Sequence, residues 1–373
     1  MSSEQQTLKE SVVRYCREHY DPQSRRRLLQ GDGDAATRHW HNFAELGWLG
    51  ATLPCELGGS GGSLIEAGII LEEFGRVLVP EPYLPCAILA AHAVALATDT
   101  PSGRALLEPM IHGSSLLSLA HGEGTTGHVC RHIETTARPL GTEGFILNGT
   151  KVTVLNGDRA DCLIVSARLA DDFALFAVGS SAPGLFRRSY GILSGTTAAD
   201  VRFTDTPVPS SSILAQGEGA RAAIEEAIQV ATIGICFEAL GSMSSVIDTT
   251  SGYLKTRRAY GTTLSSFQAL QHRLANMLIE LEMARSIVYH AVAACSQGNR
   301  HERRRATSAA KALVGRAAKL IGAEGIQLHG AQGMVDSYIP GQHFKHLAVV
   351  EGLFGDSDFH LRNFHDSVSG AGA

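Results

Sequence analysis

No basic excess marks this chain. Its 32 Lys and Arg stand against 37 Asp and Glu, a net charge of −5 at neutral pH. That gives no electrostatic footing for nucleic acid or for an anionic membrane surface. Nor is there a disulfide framework. The seven cysteines are odd in number, scattered, and never at CxxC spacing. A chain of 373 residues buries a core without staples, so reduced thiols and a cytoplasmic protein are expected. No apolar run approaches the roughly 20 residues of a membrane span. The opening MSSEQQTLKESVVRYCREHYDPQ is polar and does not read as a signal peptide. There is no internal repeat, and the final SVSGAGA is expected to fray.

What is present is an ordinary folded composition, 44% hydrophobic and 18% charged, with two or three domains as the expectation. The first third reads as helices. TLKESVVRYCREHY places Leu8, Val12, Val13 and Cys16 at helical spacing, and ATRHWHNFAELGWLG gives another helix ending near Gly47. Ser63 and Glu66 form a capping-box pattern before SLIEAGIILEEFGRVLV, which Pro80, Pro82 and Pro85 close; an apolar helix follows over about 85–97. From about 113 the texture changes to short β-branched runs, SSLLSLA, HIETTAR, GFILNGTKVTVL, DCLIVSAR, FALFAVG, GLFRRSY and ADVRFTD, separated by turn residues. From about 217 long helices return, the last over about 340–364, and short connections between four of them suggest an antiparallel bundle. The expected class is α+β, mostly α: residues 1–112 helical, 113–210 a β domain, 211–373 a four-helix bundle.

Four strings in this order resemble the acyl-CoA dehydrogenase family: LGWLGATLPCELGGSGG, NGTKVTVLNGDRADCLIVSAR, TRRAYGTTLSSFQALQHRLANM and IQLHGAQGM. Within it, YLKTR, SFQALQH, QLHG and HFK are similar to the small-subunit branch of pimeloyl-CoA dehydrogenase-like proteins. The resemblance implies that the third string crosses a subunit interface and holds the far half of FAD. By position, Arg257 would face the pyrophosphate, Tyr260 would pack beside the adenine or ribose, and Gln268 would hydrogen-bond nearby. A guanidinium suits a phosphate and an aromatic face suits a purine. Gln327, Gly330 and Ala331 match a second strip, where glycine lets backbone approach the cofactor; Ala331 stands where the family has another glycine.

The family's catalytic base is missing. Dehydrogenation there needs a carboxylate to take the α-proton while flavin N5 takes the β-hydride, and the base must be within hydrogen-bond reach. Its commoner position falls on Phe354 and the alternative on Ala231. Nearby carboxylates are Glu225, Glu226, Glu351 and Asp356, with Glu351 the least remote substitute. The flavin-side loop, GEGTTGHV, keeps Glu123 and Gly127 but has Gly122, Gly124, His128 and Val129 where the family has Thr, Pro, Ser and Asp. The Trp-Ile-Thr that backs the flavin corresponds to Thr153, Val154 and Leu155.

The resemblance therefore implies a subunit that lends residues to a FAD shared across an interface. Its expected partners are an acyl-CoA substrate, a homologous catalytic subunit in an α2β2 assembly and an electron-transfer flavoprotein or similar acceptor. The rivals are a self-sufficient homo-oligomeric dehydrogenase using Glu351 and a flavin-free scaffold. Other signals are weaker. GEGTTG matches GxGxxG but runs into a strand-like segment rather than a helix. His121, His128, His132 and Cys130 fit no zinc spacing. His343 and His346 read as solvated or interface histidines, and Asp356, Asp358 and His360 as surface or contact residues.

Overall fold

The computed structural model describes residues 1–97, 101–124, 133–141, 143–170, 172–335 and 337–368. Its N-terminal part is helical: α1 (Ser3–His19), α2 (Pro22–Leu29), α3 (Gly33–Glu45), α4 (Leu64–Val77), a π-helical stretch Tyr83–Ala90 running into α5 (Ala91–Ala97), and α6 (Pro101–Ile111). The Ser63–Glu66 capping box forms at the start of α4. That helix stops before its prolines, at Leu78 in left-handed conformation (φ 57°). α2 has no apolar periodicity to announce it, and its one buried side chain is Arg25.

Eight strands follow: β1 (Leu117–Ala120), β2 (Thr136–Leu140), β3 (Gly144–Leu155), β4 (Cys162–Leu169), β5 (Asp172–Gly179), β6 (Leu185–Gly191), β7 (Thr197–Pro209) and β8 (Ile213–Gln216). They form one sheet in the order β6-β7-β3-β2-β4-β5-β8, with β1 parallel to β4. Leu147, Val165, Phe176 and Phe203 fill its core. Short β-branched runs separated by turn residues made the first seven legible; β8, four residues directly before α7, has no such turn to mark it off.

The last part holds α7 (Gly217–Thr256), a two-stranded ribbon β9 (Arg258–Ala259) and β10 (Thr262–Thr263), α8 (Gln268–Gln297), α9 (Arg300–His329), α10 (Ile339–Gly352) and α11 (Ser357–Val368). One helix was expected over 340–364; two form instead. The chain breaks after Gly352, where Phe354 and Gly355 take positive φ (58° and 105°). α7 also corrects the reading of apolar runs. An 18-residue window of it has mean hydropathy 1.6, enough by length and composition to cross a membrane. Yet 83% of that window is buried inside this fold, packed against α4 and α9. It is a core helix, hydrophobic all round because it is surrounded.

Candidate functional site

A cavity of about 430 Å³ lies where the sheet meets the helices. Its wall includes Leu89, Val152, Thr153, Ile228, Leu353 and Phe354. β3 reaches it through a register shift between Lys151 and Val154, with Thr153 at φ 51°; such bulges re-aim side chains beside sites. On the opposite side, the break between α10 and α11 presents Phe354. That loop is held firmly: Lys311 Nζ donates to the carbonyls of Glu351 (2.9 Å) and Gly355 (2.6 Å). His360 Nε2 bonds the Phe354 carbonyl at 3.0 Å. His360 is thus buried within the fold rather than a surface residue, because the broken helix leaves carbonyls that need a donor.

Beneath the cavity sits a buried ion pair. Lys151 Nζ lies 2.7 Å from Glu123 Oε1 and bonds Ser166 Oγ and the His121 carbonyl. Glu123 also accepts from the Thr135 hydroxyl and from the backbone N–H of Glu134 and Thr135. Burial works to raise the Glu123 carboxyl, but Lys151 and these donors outweigh it and hold it down at about 2. Burial and the Lys151 charge push His121 down to about 3, so its ring is neutral. Lys151, Thr135 and Ser166 escaped sequence reading. The available signal was a lysine on the inward set of β3, at period two from Leu147 and Gly149. Gly127, His128, Val129, Cys130 and His132 lie outside the described residues, as does the second half of the GxGxxG stretch; among the described residues no group of His, Cys, Asp and Glu suits a metal.

A second set of residues gathers at one end of the bundle. The β9–β10 ribbon turns through Tyr260 and Gly261, both at positive φ (54° and 82°), the geometry of a tight hairpin turn. Tyr260 stands 93% exposed at its tip, its ring edge-on to Phe267 at 6.3 Å between centroids. Arg257 and Gln268 flank the ribbon and are exposed. The end of α9 comes to the same place: the Tyr253 and His329 rings pack at 4.6 Å, and Arg273 pairs with Glu324 at 2.6 Å. Exposed Gln327, Gly330 (φ 61°) and Ala331 therefore share this end with Arg257.

Comparison with known proteins decides the family. Residues 217–368 match the family described as "Acyl-CoA dehydrogenase, C-terminal domain", and residues 2–113 match "Acyl-CoA dehydrogenase, N-terminal domain". The chain belongs to the acyl-CoA dehydrogenase family. It is similar to the mitochondrial isovaleryl-CoA dehydrogenase of Pongo abelii, 26% identical over 371 residues, covering 96% of this chain and 87% of the relative. Among solved structures it is similar to the Tcur3481-Tcur3483 steroid ACAD (29% identity, TM-score 0.89, 99% of each chain). The ChsE4-ChsE5 complex from Mycobacterium tuberculosis shares the fold (20% identity, TM-score 0.89, 100% of this chain and 99% of that one).

For an acyl-CoA dehydrogenase the question is where a base would sit. Phe354 lines the cavity; Ala231 does not, being fully buried in α7, while Ile228 one turn earlier does line it. The four substitute carboxylates are engaged elsewhere. Glu225 accepts from Arg300 (2.6 Å) and Glu226 from Arg303 (3.2 Å). Glu351 turns toward α9 and pairs with Lys319 at 2.6 Å. Asp356 accepts from the Phe359 N–H at the start of α11. Among the described residues the one carboxylate on the cavity wall is Glu123, whose oxygens are already taken.

FAD, the family's cofactor, can be tested against the two places. The cavity wall is mostly aliphatic, and its buried polar members are already engaged, His121 with Ser166 and Glu123 with Lys151 and Thr135. Among the described residues it offers little to the polar edge of a flavin ring. The bundle end fits better the charged half of a dinucleotide, with an exposed guanidinium that has no carboxylate partner among the described residues, an exposed amide and approachable glycine backbone.

Proposed function

We propose that this chain is the base-deficient subunit of a heteromeric, FAD-dependent acyl-CoA dehydrogenase that desaturates an acyl-CoA thioester between Cα and Cβ. The observation that carries it is a contrast. The chain's own cavity has Phe354 and no free carboxylate among the described residues, while Tyr260 projects into solvent beside Arg257 and Gln268 with little of its own chain to touch. An arm so exposed is an unsatisfied contact surface. In this reading Arg257, Tyr260, Gln268 and the Gln327–Ala331 strip hold part of a FAD whose flavin end, the hydride acceptor when bound, lies in a homologous catalytic partner. An α2β2 assembly in the cytoplasm passing electrons to an electron-transfer flavoprotein or similar acceptor completes it. The names of the steroid ACAD and the ChsE4-ChsE5 complex lend support.

Flavin content and acyl-CoA-dependent reduction of a dye test this, measured on the chain alone and co-expressed with a candidate homologous subunit. The expected result is little flavin alone, about one FAD per heterodimer, and activity only in the pair. One FAD per chain with unaided turnover overturns it. Glu351→Gln separates the self-sufficient rival: turnover of the complex should be unchanged, because Glu351 is bound to Lys319 outside the cavity.

A further inference from the structure

The wall of the larger cavity carries one polar ring among aliphatic side chains. Leu119 and His121 both line it. They stand two residues apart at the end of β1, so their side chains leave the backbone on one side. The His121 ring is fixed from behind. Its Nδ1 lies 2.9 Å from Ser166 Oγ. Ser166 is fully buried, and its hydroxyl has one other partner among the described residues, Lys151 Nζ at 3.0 Å.

This arrangement decides where the ring proton sits. An ammonium donates and cannot accept. The Ser166 hydroxyl therefore has one acceptor for its own hydrogen, His121 Nδ1. The reverse assignment, Nδ1–H to Ser166, buries the hydroxyl hydrogen without a partner. A neutral imidazole that accepts at Nδ1 carries its proton on Nε2, and burial with the Lys151 charge holds this ring neutral. His121 Nε2 has no hydrogen-bond partner among the described residues, and unlike Nε2 of His329 and His346 it is not sealed from solvent. The other polar side chains of the wall are already bonded. Glu123 accepts from Lys151, Thr135 and the Glu134 N–H, and Thr153 accepts from the Tyr190 hydroxyl at 3.3 Å.

We propose that His121 Nε2–H is the recognition point of a ligand site in this chain's own cavity, for an apolar molecule bearing one neutral carbonyl oxygen, either an acyl thioester or a ketone. One ring N–H in an aliphatic wall suits an acceptor with no hydrogen of its own to bury. A hydroxyl would bring a donor with nothing to receive it. A carboxylate would leave water for a single neutral donor. A flavin edge, with several donors and acceptors, would find one partner. Lys151 strengthens the donor through Ser166, since each hydrogen bond in a chain polarises the next. The volume, about 430 Å³, is that of a small-molecule pocket. The thioester source rests on the acyl-CoA reading above; the donor itself does not. With no free carboxylate on the wall among the described residues, the site binds its ligand without turning it over.

Two measurements on the full chain test this. Long-range proton–nitrogen correlation NMR of the histidine-labelled protein, with His121 assigned by its loss in His121→Phe, should find the ring proton on Nε2. A proton on Nδ1 overturns the proposal. Calorimetric titration then compares compounds that differ only at the carbonyl: octanoyl-CoA with its thioether S-octyl-CoA, and 2-decanone with 2-methyl-1-decene. In at least one pair the carbonyl compound should bind about tenfold tighter, and that pair identifies the source. His121→Phe should remove the preference while leaving the carbonyl-free compound within about twofold; His121→Gln, which keeps an N–H donor, should retain part of it. Equal affinities within both pairs, failure of all four compounds to bind, or a preference that survives His121→Phe overturns the proposal. Flavin content is read on the same samples, so failure of the lent-FAD reading is told apart from failure of this one.

Discussion

At the scale of single residues, Lys151 and Glu123 are a buried ion pair at the edge of the larger cavity. Both are buried, at 0% and 3% exposure, and each is the other's main compensation for leaving water. Removing one strands the other. Lys151→Met should destabilise the chain by about 3–5 kcal/mol, read from urea unfolding; a loss under ~1 kcal/mol would mean that the pair matters little. The pair also sets an acid limb. The Glu123 carboxyl titrates at about 2 when folded against 4.5 when free. The folded state therefore binds fewer protons between those values. Its contribution is complete above pH 4.5 and is lost as pH falls toward 2.

Secondary-structure elements meet most tightly where α4 crosses α7. A Cβ added at Gly75 would strike the Glu238 carbonyl, and one at Gly241 the Glu72 carbonyl. These glycines let the two backbones touch. Gly241→Ala should push the helices apart and cost about 1–3 kcal/mol, seen as a lower urea midpoint; an unchanged midpoint would show that the crossing is loose. The β9–β10 ribbon is the reverse case, an element with almost nothing to pack on. Tyr260→Ala should leave the chain's own stability within about 0.5 kcal/mol. On the proposed function it should lower flavin retention by the heteromer. If stability drops instead, the tyrosine serves its own fold.

Over the whole molecule, the junction of the three parts concentrates buried titratable groups and should shape stability against pH. Burial pushes Glu81 up to about 7 and Glu238 up to about 8. It pushes His343 and His346 down to about 3 and 4, with the Arg25 charge adding to both. The carboxyls keep their protons longer when folded, so they erode stability as pH rises from 4.5 to their folded values. The histidines act oppositely, adding stability as pH rises toward their free value of 6.5. Above 6.5 only the carboxyl effect continues. Tm should therefore fall between pH 6.5 and 8, and Glu238→Gln should flatten the fall. A Tm that rises through that window would contradict these shifts. His343 and His346, read from sequence as solvated or interface residues, are in fact 1% and 8% exposed. His343 bonds Ser242 Oγ at 2.8 Å across to α7.

The sequence by itself determined what depends on neighbours along the chain. Short β-branched runs between turn residues exposed seven strands, the Ser63–Glu66 spacing placed a helix start, and the TRRAYG…FQ string marked the bundle-end residues. All are local, since backbone periodicity and turn chemistry act over a few residues. Tertiary structure decided what depends on residues far apart. It broke the last helix at Phe354, where Lys311 and His360 capture the loop carbonyls. It turned Glu351 away toward Lys319 and buried Ala231, putting Ile228 on the cavity wall. It brought Arg25, Glu81, Asn156, Glu238 and His346, which span the chain from α2 to α10, to one junction. Burial, pairing and pKa arise only when distant segments exclude water from one another, and no spacing along a sequence records that.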